Sequence, residues 1–103
     1  MGVTQENTPV IKCATAADVI DGTKVPSGIV DVEYMHWVSK GATVGDDLLV
    51  SDGAGNVLWE DVADIVNVSK LHVLKHPVKD LTVTTMTTGT LYVIKAPSDG
   101  WPG

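Results

Sequence analysis

From residue 28 to residue 96 the chain is a series of short apolar runs, most of them closed by turn-forming residues. The runs read GIVDVEYMHWVS (28–39), LLVSD (48–52), NVLWEDV (56–62), KLHVLKHPV (70–78), DLTVTTM (80–86) and TLYVIKA (90–96). Valine and threonine dominate them, and such β-branched side chains are stiff and pack well on a pleated surface. Short strands spaced by roughly ten residues, with turn signals between them, predict an all-β fold: a small antiparallel β-sandwich or barrel. The one stretch with an amphipathic look, DVADIVNVSKLHVL, is too rich in valine and isoleucine for a helix. A single helical turn over 16–20 is the most helix the sequence allows.

The run at 28–39 gives the finest detail. Val30, Val32, Tyr34, His36 and Val38 share one parity, and Asp31, Glu33, Met35 and Trp37 share the other. Strict alternation predicts that the first set faces the core, with loop cover for the apolar end of the second. Phenylalanine is absent, so the bulky core pieces are expected to be Trp37, Trp59, Tyr34, Tyr92 and the leucines. Upstream, PVIKCAT (9–15) reads as a first strand with Pro9 at its start. The polar MGVTQENT (1–8) reads as an extended, flexible N-terminal arm and APSDGWPG (96–103) as an irregular C-terminal tail. The sandwich itself is expected over 9–95.

Charge and cysteine content narrow the function classes. The net charge is -6, and all seven basic residues are lysines. Nucleic-acid binders neutralise phosphates with Lys and Arg and read guanine with Arg, so an acidic, arginine-free chain argues against a nucleic-acid partner. Cys13 is the single cysteine, which excludes an internal disulfide and suits manufacture in a reducing cytoplasm. No basic-then-apolar leader opens the chain, and no apolar run approaches the ~18 residues of a membrane span. A soluble protein without a membrane partner is expected.

The chemical motifs are thin. SDGAGNVLWE offers Asp52 and Asn56, but Gly and Ala stand where a calcium loop needs oxygen ligands, so the link reads as a bend between strands. Gly45-Asp46-Asp47 resembles a two-metal carboxylate pair without the basic clamps that phosphoryl transfer needs. His72 and His76, placed on one strand, would share a face about 13 Å apart, too far for one ion. No nucleophile elbow, P-loop or dinucleotide fingerprint occurs. The expectation is no enzyme, no cofactor and no metal site. NVS at 67–69 matches a glycosylation acceptor, but without an export signal the match carries no weight.

The string IVDVEYMHWVSKGATVGDDLLVSDGAGNVLWEDVAD, followed by LTVTTMTTGTLYVIK, resembles small structural proteins of tailed-bacteriophage virions. In those proteins a strand ending in tryptophan leads to a "gd-l-v-DG-G-vlwe" hairpin, and a closing "sGtlyvy" hairpin follows. The likeness spans roughly residues 28–95 and rests on strand-and-turn patterns. It implies a β-sandwich of the decoration (cement) type, made in the host cytoplasm and mounted on the capsid surface. Its partner would be the major capsid protein or another virion protein, with a homotrimer or dimer plausible by symmetry. Under that reading the arm, Thr4, Gln5, Glu6, Asn7, Thr8 and Pro9, and the tail residue Trp101 are the expected partner contacts, since Trp is enriched at interface hot spots. The rival reading is a tail-associated or head-surface module that recognises a host carbohydrate or protein, with Trp37 or Tyr34 as an outward aromatic platform.

Overall fold

A computed structural model describes residues 10–96. Eight strands follow one another: β1 (Val10–Cys13), β2 (Val19–Ile20), β3 (Ile29–Ser39), β4 (Asp47–Ser51), β5 (Val57–Val62), β6 (Val68–Lys79), β7 (Leu81–Met86) and β8 (Thr90–Lys95). One 3-10 turn, Pro26–Gly28, precedes β3. The strands form two four-stranded antiparallel sheets, β1-β8-β3-β6 (sheet A) and β2-β7-β4-β5 (sheet B). The two sheets close on one core cluster drawn from both, so the fold is a sandwich.

No helical turn forms at 16–20, the one place where the sequence allowed it. Ala17 instead has φ 75° and donates its N–H to the Val83 carbonyl at 2.7 Å, and Val83 donates back to Asp18 at 2.9 Å. Val19–Ile20 then pairs with β7 as β2. The Asp18 carboxylate accepts from the Ala14 and Thr15 N–H groups, which folds the backbone into a tight turn in place of a helix.

The face assignment of β3 is corrected in its second half. Val30 and Val32 are buried as expected, but beyond them the buried residues are Met35, Trp37 and Ser39. Tyr34, His36 and Val38 point outward. The cause is an irregularity between Val32 and Tyr34: Val32 is opposite Lys95 and Tyr34 opposite Ile94 on β8, so β3 carries one extra residue there. An extra residue shifts the side-chain parity by one and sends every later residue to the other face. The aromatic core is therefore Trp37 and Trp59; Tyr34 and Tyr92 are half-exposed.

Trp37 is fully buried and donates its indole N–H to the Thr88 carbonyl at 2.9 Å. That carbonyl belongs to the β7–β8 turn, which the sequence centred on Gly89. Gly89 has φ 88°, and a Cβ there would run into the Val38 carbonyl and lie 2.6 Å from the Ser39 side chain. Glycine is required both by backbone angle and by contact.

Candidate functional site

The outward side of sheet A departs most from what solvent favours. Strand registers place Val10, Ile94, Tyr34 and Val73 in one row across β1, β8, β3 and β6. The next row is Lys12, Tyr92, His36 and Leu71, and a third holds Thr90, Val38 and Ser69. In each of β1, β3 and β8 these residues alternate with fully buried ones, which fixes them on the outer face. Leu71 and Val73 are 63% and 62% exposed. The grid spans three strand spacings and two two-residue steps, about 14 Å by about 14 Å between outermost Cα positions. Seven of its eleven members are apolar or aromatic, with Lys12, His36, Thr90 and Ser69 between them.

Its polar members are tied locally. His36 Nε2 lies 2.7 Å from Ser69 Oγ across the β3–β6 pair. Lys75 Nζ approaches Glu33 Oε2 at 3.7 Å, an exposed ion pair at the end of the grid. Sheet B shows the opposite surface. Its outward rows are Thr85, Leu49, Glu60 and, one step on, Asp47 and Val62. Thr87 Oγ1 donates to Asp47 Oδ1 at 2.6 Å. Apart from Leu49 and Val62, this is the hydrated outer face usual for an antiparallel sheet.

On one lateral side the edge strands β5 and β6 of the two sheets are clamped together. The Trp59 and His72 rings stack with centroids 5.4 Å apart and planes 11° from parallel. Lys70 Nζ sits 3.1 Å from Asp61 Oδ1 and 3.5 Å from Asp64 Oδ1. Burial pushes the Asp61 carboxyl up, but the Val62 N–H and the Lys70 ammonium outweigh it and hold the group below the usual range. The hydrogen bond to Asp61 raises Lys70 in turn. At one end of the sandwich Val44, Ile65 and Val66 are exposed on two loops joined by Ala42 N–H to Val66 and Gly45 N–H to Ala63 bonds.

The histidines do not converge. His36 lies on the outer face, His72 packs on Trp59 between the sheets, and His76 Nδ1 is 3.1 Å from the Pro77 carbonyl. His72 and His76 lie opposite the buried Met35 and Val32 of β3 and so share a side of β6, as expected, but each meets a different partner. Among the described residues no group of three or more His, Cys, Asp or Glu side chains is placed to hold an ion.

The 52–56 link is built around its aspartate. Asp52 Oδ1 accepts the Ala54 and Asn56 N–H groups at 3.0 and 2.9 Å, and Oδ2 accepts the Asn56 amide at 3.1 Å. The Asn56 bonds, with those from the Ala54 and Gly55 backbone, lower its carboxyl pKa. Asp52 thus organises the bend, next to a shallow depression of about 260 Å³ lined by Asp52, Gly53, Ala54, Lys79 and Asp80. Asp46 likewise accepts the Thr43 N–H at 2.8 Å, so the Asp46–Asp47 pair serves two separate turns. Cys13 is buried in the core, and burial, partly offset by Lys24, pushes its thiol up to about 11.

Of the residues expected to contact a partner, Thr4, Gln5, Glu6, Asn7, Thr8, Pro9 and Trp101 lie outside the described residues. Trp37, suggested as an outward platform, is in the core; Tyr34 is outward. The sequence missed the grid itself, because its members come from four strands and its parity depends on the extra residue in β3. The chain matches no family model, no curated protein and no solved structure.

Proposed function

We propose that this protein is a non-enzymatic virion structural protein, a decoration or cement protein that binds the assembled phage head and stabilises it across subunit seams. The observation that supports this most is the apolar, aromatic outer face of sheet A, centred on Tyr34, Tyr92, Leu71 and Val73. Half-exposed tyrosines on rigid strands bring large contact area at little side-chain entropy cost, which suits a docking surface. The resemblance of residues 28–95 to phage virion proteins supports a subunit of the capsid surface as the partner. A partner that binds the assembled lattice and not its dissociated pieces stabilises the assembly by mass action.

The test is direct. Purified protein is added to capsids stripped of accessory proteins, and bound copies are counted against free concentration. Saturable uptake at a fixed copy number per capsid is expected, and exchange of Tyr34 and Tyr92 for serine abolishes it. Absence of saturable uptake, or attachment to host cells in place of capsids, contradicts the reading.

A further inference from the structure

Sandwich proteins must deal with the outer edges of their sheets, because an unpaired strand edge is a template for another strand. Three of the four edges here are blunted. β2 has two residues and β1 has four. β5 has six residues and carries Glu60 and Asp61. The fourth, β6, is the longest strand, with twelve residues, and among the described residues only β3 pairs with it. Its protecting devices all lie at its C-terminal end: the extra residue at Lys75, Pro77, and the Lys79 carbonyl that accepts the Gly53 N–H. Residues 68–74 have none. Lys70, the natural gatekeeper, is drawn between the sheets by Asp61 and Asp64.

We infer that the 70–74 edge of β6 pairs with the same edge of a second copy, antiparallel and two-fold symmetric about His72. The sequence KLHVL suits this register. It sets Leu71 beside the partner's Val73 and Lys70 beside the partner's Leu74, and ends before the irregular Lys75. No two lysines meet, and the two most exposed apolar side chains of the strand cover each other, twice by symmetry. Sheet A then runs through both copies as eight strands, with the two apolar grids joined in one face. The paired strip is short of the ~800 Å² per partner of a standard interface, so a concentration-dependent equilibrium is expected. The inference concerns the isolated protein and stands whether or not capsids bind it.

Sedimentation of the full chain over a wide concentration range tests it. A monomer–dimer equilibrium is expected. Val73→Lys, which enters twice, weakens it about tenfold or more, while Val62→Lys on β5 leaves it unchanged. An equimolar mixture of Leu71→Cys and Val73→Cys proteins should form oxidised dimers several-fold faster than either variant alone, with native Cys13 shielded in the core. A monomer at every concentration, a dimer indifferent to Val73→Lys, or equal cross-linking in the single-variant samples overturns the inference.

Discussion

The outer faces of the two sheets come from the same kind of sequence yet present opposite surfaces. Sheet B shows threonines and carboxylates with Leu49 and Val62 among them, while sheet A shows tyrosine, leucine, valine and isoleucine across all four strands, with Lys12, His36, Thr90 and Ser69 between them. The contrast extends to charge. The strands of sheet A hold five lysines against two carboxylates, a formal +3, and those of sheet B no lysine against three, a formal -3. Packing does not explain the difference, because both inner faces are apolar and closed on each other. A sandwich that needed only to fold would make both outer faces hydrated. The exposed apolar one is the working surface on this account.

The largest effect separates the inner from the outer residues of β3. Trp37→Ala should cost about 3–5 kcal/mol in denaturant unfolding, through lost burial and an orphaned Thr88 carbonyl. His36→Ala, one position away on the outer face, should cost under about 1 kcal/mol. Equal losses would break the face assignment.

Next comes a comparison of two turns. Gly89→Ala forces a side chain into the Val38 and Ser39 backbone beneath sheet A and should destabilise by about 2–4 kcal/mol; Gly55→Ala, with a similar positive φ but open space around it, should cost only about 1 kcal/mol.

The thiol reports on the alternation of β1, where Val10 and Lys12 face out and Cys13 faces in. Its folded pKa of about 11 lies above its unfolded value, so the unfolded chain releases its proton first as pH rises. Stability should fall from about pH 9, by about 2–3 kcal/mol once pH passes 11. Thermal unfolding of the wild type against Cys13→Ala isolates this contribution, and thiol reagents should react with native protein far more slowly than with unfolded protein.

The smallest effect is at the clamp between β5 and β6. The Asp61 carboxyl is held low, so its contribution is present above the unfolded pKa near 4 and is lost as pH falls through the folded value. Asp61→Asn should remove that acid-side slope and leave neutral-pH stability within about 1 kcal/mol, since the pair is partly exposed and screened.

Much of the fold was legible in the sequence, and the reasons are local. Valine and threonine runs gave the strands from 28 onward, Asp52 to Asn56 gave the bend, and Gly89 gave the closing turn. What escaped was set by partners distant in the chain. One irregularity in β3, visible only against its partner strands β6 and β8, turned Tyr34 outward and Trp37 inward. β2 forms because the edge of β7 captures Val19 and Ile20, a run too short to mark a strand by itself. The grid and the open edge of β6 both depend on strand order, which no local pattern carries.

Hydroxyl-radical footprinting of the protein free and mounted on stripped capsids tests the working surface most directly. Tyr34, Tyr92 and Leu71 should be oxidised readily in the free protein and shielded on the particle, while Leu49 and Val62 on sheet B react equally in both. Shielding of sheet B with sheet A left open would contradict the account.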